Sequence, residues 1–323
     1  MTAAPAPRTG AGQVVVVGDV MTDIIVRAEG PPAPGSDRAA TVSLRAGGGG
    51  ANLAAWLGHL GMAVTLAARV GAAEHATWTE WFAGFGVRAA LGADRRRPTG
   101  RLVALLDADG ERSFLTDRGA NAALGRRDLP AALLDGAGWL HVSAYTLFDP
   151  APRAAAQALM AAARRRGIPV SVDAASAAPL AAAGAAAFRA WTEGIAVLFA
   201  NAAEAAVLAG SDNPAAQRAA LTTVYPLAVI KRGAAGAEAV GRGGYAITRP
   251  APRVTARDTT GAGDAFLAGF IAARLAGHAP SRCLARGVAL GARAVTRLGG
   301  QPPRTDSAGM AAAPFTATPP PPG

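Results

Sequence analysis

Cysteine occurs once in the 323 residues, at position 283, so an internal disulfide and any cysteine-built metal cluster are excluded and a reducing cytoplasm is the expected compartment. Lysine also occurs once, at position 231, and aromatic residues make up only 5% of the chain. The net charge of +10 therefore rests on scattered arginines, without the clustered basic and aromatic surface of a nucleic-acid binder. Short clusters at 95–97 and 164–166 read as solvated surface. The most apolar stretches, such as 177–188, are alanine-dominated and shorter than the ~20 residues a membrane span needs, so no bilayer crossing is expected. The first residues lack the succession of charged, long apolar and small-residue segments that makes a signal peptide, and none is expected. His59, His75, His141 and His278 show no metal-binding spacing. Gly-x-Gly-x-x-Gly is missing after the first strand and Gly-x-x-x-x-Gly-Lys-Ser/Thr is missing throughout, which argues against a dinucleotide oxidoreductase and a P-loop enzyme.

What is present is a hydrophobic content of 51%, enough for one large α/β domain. Residues 14–17 are four valines that run into Gly18-Asp19, the pattern of a central strand buried on both faces. Helical spacing follows at 52–60, ending at Gly61, then a strand at 64–70 and a helix near 75–85 whose Trp78, Trp81, Phe82 and Phe85 form a packing stripe. Two apolar runs within 101–115 flank Asp107-Ala-Asp-Gly110, a tight hairpin signal. Downstream a helix over 151–166, a strand over 168–173, a strand over 195–200 and a helix from 202 continue the alternation. Such alternation requires a mostly parallel sheet covered on both faces, with ligands bound beyond the strand carboxyl ends. Residues 1–13 and the Pro-rich 301–323 are expected to be disordered tails around a domain spanning 14–300.

Two glycine segments carry the chemistry. Asp258-Thr-Thr-Gly-Ala-Gly-Asp-Ala-Phe266 places Gly261, Ala262 and Gly263 directly before Asp264 and an apolar helix. Free N–H groups and the dipole at that helix start suit a phosphate. A carboxylate beside such an anion hole can take the proton of an attacking alcohol, so Asp264 is the candidate base of a phosphoryl transfer. As a plain first-turn aspartate it would gain only ~0.3–1 kcal/mol. The segment Gly47-Gly48-Gly49-Gly50-Ala51-Asn52 also opens a helix, so its amides and Asn52 can hold a polar ligand; alternatively it is a turn with Asn52 as helix cap.

In this order and about two hundred residues apart, the two segments resemble the paired signatures of the ribokinase or PfkB family of carbohydrate kinases. Asn52, Ala54, Gly61 and Gly71 match the first signature, residues 258–271 match the second, and Gly119-Ala120-Asn121, Asn201-x-x-Glu204 and Lys231-Arg-Gly-Ala-Ala-Gly236 fall between them. The resemblance implies a ribokinase-like three-layer α/β/α domain with a mostly parallel central sheet and a small β lid from about 36–46 and 101–116. It implies transfer of the γ-phosphate of ATP to a hydroxyl of a sugar or sugar-like molecule, with Asp264 as base and the amides of 261–263 as anion hole. Asp23, Gly48, Gly49 and Asn52 would bind the acceptor; Asn201, Lys231, Gly233, Gly236 and Gly263 would bind ATP, the 231–236 turn covering the nucleotide. Glu204 would hold a water of the Mg²⁺ that accompanies ATP, and Asp258 and Thr260 correspond to positions around a monovalent cation, K⁺. Lid pairing would make a homodimer. Where ribokinases carry Asn in the first strand-end motif this chain has Met21, and where they carry Lys in the first glycine run it has Gly49, so the acceptor need not be ribose. A nucleoside kinase of the same family is an alternative that the few aromatics disfavour; a non-catalytic nucleotide or sugar sensor would have lost the base or the anion hole, and both are intact.

Overall fold

The computed structural model describes residues 12–28, 30, 35, 37–106 and 112–303. The hairpin turn expected at 107–110, the start of the lid segment at 36, and the tails 1–11 and 304–323 lie outside the described residues. Strands follow in chain order as β1 (Gln13–Val17), β2 (Met21–Ala28), β3 (Ala40–Gly47), β4 (Val64–Gly71), β5 (Val87–Asp94), β6 (Gly100–Leu106), β7 (Arg112–Asp117), β8 (Ala137–Ser143), β9 (Val170–Asp173), β10 (Val197–Asn201), β11 (Leu227–Lys231), β12 (Ala237–Gly241) and β13 (Ala246–Arg249).

The valines of β1 explain the architecture. Val14 and Val16 point into a core shared with Leu53, Trp56, Phe266 and Phe270, whereas Val15 and Val17 point into a second core with Leu147, Leu159 and Met160. A strand with both pleat faces apolar is stable only between two helical layers. Helices Gly49–His59, His75–Ala83, Ala262–Leu275 and Pro280–Ala294 form one layer; Pro150–Arg165, Ala202–Ala209 and Pro214–Val224 belong to the other. The sheet between them has the order β13-β12-β11-β10-β9-β8-β1-β4-β5, parallel from β11 to β5, with β12 and β13 added as an antiparallel edge. This is a ribokinase-like three-layer fold. Trp78 and Phe82 are fully buried against the sheet, as the aromatic stripe requires.

A second sheet, ordered β3-β2-β6-β7, rises from the carboxyl end of β1. The segments 36–46 and 101–116 supply β3, β6 and β7; its remaining strand, β2, has no counterpart in the sequence reading, because its run from Met21 mixes charged and apolar residues without a strand's alternation. The sheet is anchored at its base. Asn121 accepts from Val20 N at 3.1 Å and donates to Val20 O at 2.9 Å, and Arg118 donates to Asp19 at 2.9 Å and to the carbonyl of Tyr145 and forms an ion pair with Asp149 at 3.1 Å. Packing continues past residue 300: Trp81 Nε1 donates to Gln301 Oε1 at 2.8 Å and Pro302 is buried, so 301 falls within the folded part.

Candidate active site

Three elements meet at the carboxyl ends of β1 and its neighbours. Helix Gly49–His59 starts directly after β3, and Ala51 N donates to Asp19 O at 3.1 Å, tying the helix start to the end of β1. Gly48 sits at φ 95, a conformation that a side chain would strain, and a Cβ there would press into the Asp19 backbone. A Cβ on Gly47 would overlap the Asp23 carboxylate. The glycine run thus lets Asp23 of β2 and Asn52 of the helix approach one point.

Helix Ala262–Leu275 brings Asp264 to the same place. Asn52 Nδ2 donates to Asp264 Oδ2 at 2.9 Å, across 212 residues of chain, while Asn52 Oδ1 is buried with no partner among the described residues. Gly261 caps the helix at φ 70, packed so closely on Gly300 that a side chain has no room. The N–H groups of Gly261, Gly263 and Asp264 meet no acceptor among the described residues, whereas Ala262 N–H donates to Thr259 O at 3.3 Å. Of the three amides expected to face an anion, that of Ala262 thus has a backbone partner and those of Gly261 and Gly263 have none among the described residues. The loop before it is pinned by Asp258, whose Oδ1 accepts from Thr260 N and whose Oδ2 accepts from Gly299 N, both at 2.9 Å.

On the far side of Asp264 lies a cavity of about 670 Å³, lined by Asp173, Asn201, Glu204, Lys231, Gly233, Gly236 and residues 261–264, with Phe266, Val288 and Val295 as apolar wall. Asp264 stands between this cavity and the Asp23–Asn52 cluster. Asn201 and Glu204 form a capping box at the start of helix Ala202–Ala209: Glu204 Oε2 accepts from Asn201 N at 2.7 Å, Oε1 from Asn201 Nδ2 at 2.7 Å, and Asn201 Oδ1 from Glu204 N at 2.8 Å. Glu204 is buried, not a surface residue. Lys231, expected in a covering turn, points inward instead: its Nζ donates to Asp173 Oδ1 at 2.6 Å.

Asp173 is the site residue the sequence reading missed. It ends β9 in a strand motif with no glycine beside it, and only the parallel register of β9 with β10, and of β10 with β11, places it beside Lys231. Ser143, at the end of β8, is buried next to Gly49 and was missed for the same reason.

The charges form a row. Burial pushes Asp264 up to about 7, opposed by the Asn52 hydrogen bond and Lys231 and reinforced by Asp173 and Asp23. Burial likewise raises Asp23 to about 7, with Asp258 adding to it, and Glu204 to about 7, with Asp173 adding to it. Burial would lower Lys231, but Asp173, Glu204 and Asp264 hold it above its ordinary value. A carboxyl poised near neutrality next to free amides and a fixed cation can accept a proton while charge builds on a neighbouring anion. Among the described residues no three His, Cys, Asp or Glu side chains gather as a metal cage, and no helix is long and apolar enough to cross a membrane.

Comparison with known proteins agrees with this geometry. No curated protein matches the sequence. Among solved structures, ribokinase of Arabidopsis thaliana complexed with ribose and ATP superposes with a TM-score of 0.77 at 26% identity, covering 91% of this chain and 97% of that one. Adenosine kinase from Sinorhizobium meliloti gives a TM-score of 0.82 at 21% identity over 91% and 96% of the two chains. Ribokinase from Cryptococcus neoformans in complex with ADP gives 0.72 at 23% identity over 90% and 96%. The pfkB family carbohydrate kinase profile matches residues 11–307, nearly the whole chain, and the protein belongs to that family.

Proposed function

We propose that the protein transfers the γ-phosphate of ATP to a hydroxyl of a sugar-like alcohol, with Asp264 as general base. The observation that carries this reading is the position of Asp264: bonded to Asn52, beside the free amides of Gly261 and Gly263, and between a nucleotide-sized cavity and a polar cluster. In this reading the nucleotide occupies the cavity, its phosphates directed at Gly263 and Lys231 and its outer part between Gly233, Gly236 and the Val288–Val295 wall. The acceptor lies against Asp23, Gly48, Gly49, Asn52 and Ser143. Asn52 Oδ1, buried and unpartnered, is suited to accept from one of its hydroxyls.

Mg²⁺ is implied by the family and fits the residues present. Glu204 faces the cavity with both oxygens already accepting from Asn201, so it suits a water of a phosphate-bound Mg²⁺ better than the ion itself. When bound, the ion neutralises phosphate charge; Glu204 and Asn201 orient its hydration shell. Asp258 and Thr260 are assigned to the surroundings of a monovalent cation, beside the loop that Asp258 pins through Thr260 N and Gly299 N. The four-stranded sheet is assigned as the lid. Strand pairing puts Asp23 on the face turned to the site and Ile24, Leu44, Val103 and Leu115 on the other, where Leu115 is 63% exposed. That aliphatic outer face suits burial against a second lid in a homodimer.

The test is ADP release in Mg²⁺ across a panel of sugars, sugar acids, phosphosugars and nucleosides, with wild type and Asp264→Asn side by side. One dominant acceptor whose turnover collapses at least ~10²-fold in the variant supports the reading. ATP binding without acceptor-dependent ADP release would replace it with a non-catalytic sensor.

A further inference from the structure

Lys231 is the only lysine among 32 lysine and arginine residues. Every other permanent side-chain cation is a guanidinium, so the position that keeps an ammonium is one where the two groups are not equivalent. The surroundings of Nζ give the reason. Asp173 Oδ1 lies 2.6 Å away, and a Cβ on Gly263 would lie 3.4 Å away, so the ammonium sits between the end of β9 and the Gly263 backbone, with the cavity on its open side. A planar guanidinium, wider and with its donors fixed in a fork, would displace Gly263 and with it a free amide of the anion hole.

An ammonium has three donors, and Asp173 accepts from one. The rest meet no acceptor among the described residues and face the cavity beside Gly263 and Asp264. We propose that Lys231 is a catalytic residue whose ammonium contacts the γ-phosphoryl oxygens during transfer, and that Asp173 is the positioning residue holding it over Gly263. The inference rests on the kinase reading and adds a donor to the site. The acceptor oxygen forms its bond to the γ-phosphorus as its proton passes to Asp264. The bond from that phosphorus to the bridging oxygen breaks, and its electron pair stays on ADP. Lys231 remains protonated throughout, donating to oxygens whose negative charge grows in the transition state.

The same ammonium has a second effect. Asp264 is faced by Asn52 from helix Gly49–His59, Asp23 from β2, Asp173 from β9 and Lys231 from β11; Lys231 itself is faced by Asp173, Glu204 and Asp264. Lys231 is the one cation in that row. Without it, Asp264 would have to ionise among carboxylates and beside a bound phosphate, and the base would be charged only at higher pH.

The experiment compares wild type, Lys231→Met, Lys231→Arg, Asp173→Asn and the double variant Lys231→Met/Asp173→Asn, the last included because removing the ammonium alone leaves Asp173 uncompensated. Thermal melting reports folding, titration with ATP and with ADP reports binding, and ADP release with the panel's best acceptor reports turnover against pH. Lys231→Met and the double variant are expected to lose ~10²–10³-fold in kcat with KM for ATP within about threefold, as for removal of one transition-state donor. Lys231→Arg is expected to recover no more than about a tenth of the wild-type kcat. The acidic limb of the kcat profile moves to higher pH in Lys231→Met and stays in place in Lys231→Arg. Wild-type kcat in Lys231→Arg, or in a folded double variant, overturns the proposal, as does a loss confined to KM. If wild type binds ATP yet releases no ADP with any acceptor, the kinase reading fails by itself. In that case loss of the preference for ATP over ADP in Lys231→Met still supports the phosphate contact, and an unchanged preference overturns it. Failure of wild type to bind ATP overturns both.

Discussion

Replacing Asp264 with Asn is expected to move activity and stability in opposite directions. The unfolded chain releases the Asp264 proton near 3.8, whereas the folded site holds it to about 7, because burial and the neighbouring Asp173 and Asp23 disfavour the carboxylate. The folded state therefore binds more protons than the unfolded state across that window, so the stability attached to this group is fully present below about pH 4 and lost as the pH rises through 7. At 1.36 kcal/mol per pKa unit the penalty at pH 8 is at most about 4 kcal/mol. Asp264 is only partly buried and opens on the cavity, so water reduces the figure to roughly 1–2 kcal/mol. Asn keeps the shape and can still accept from Asn52 while carrying no charge. The assay is thermal melting of ligand-free protein: at pH 8 the variant should melt higher by roughly 2–5 °C, and at pH 5 the gain should shrink. Turnover should fall by at least ~10²-fold at both values. A variant equally stabilised, or equally destabilised, at pH 5 and pH 8 would refute the account, because the effect would not come from ionisation.

Gly261→Ala should abolish most turnover and lower the melting temperature, since the residue combines φ 70 with a backbone contact to Gly300; a variant with wild-type melting and kcat would remove the packing argument. Glu204→Gln should raise the Mg²⁺ concentration for half-maximal rate by several-fold while leaving the helix start capped, as titration of activity with Mg²⁺ would report. Arg118→Met should destabilise the fold by about 3 kcal/mol, because Asp19 is buried and loses its only salt-bridge partner among the described residues; chemical denaturation measures it. Leu115→Glu should convert any dimer to monomer by light scattering without changing the melting of the monomer, since the residue is 63% exposed.

Much of this was legible in the residues themselves. Four consecutive valines announce a strand buried on two faces, and the glycines before Asn52 and Asp264 announce helix starts that admit a ligand. The two helices were located to within about three residues because their apolar spacing is set by packing, which the sequence records directly. What stayed hidden depends on register across the sheet. Nothing near Asp173 marks it as a site residue; it becomes one because β9 and β11 flank β10. β2 is not legible in the sequence because its run Met21–Ala28 mixes charged and apolar side chains without the alternation of a packed sheet. The inward direction of Lys231 is likewise a property of the end of β11 and not of the glycines that follow it.

The bond from Asn52 to Asp264 spans 212 residues and that from Trp56 to Gly300 spans 244. Each joins an early helix to a segment made more than two hundred residues later. At 5–20 residues per second, the first glycine helix waits roughly 10–40 s on the ribosome before its partners emerge. During that interval Trp56, the apolar faces of the helices already made and one edge of β1's core have no native cover from helix Ala262–Leu275. Contacts so distant in sequence also make for slow closure once the chain is free. Recombinant yield should accordingly depend on translation speed and chaperone supply more than on equilibrium stability. Chains cut before residue 300 should accumulate as aggregates even though most of the sheet is present.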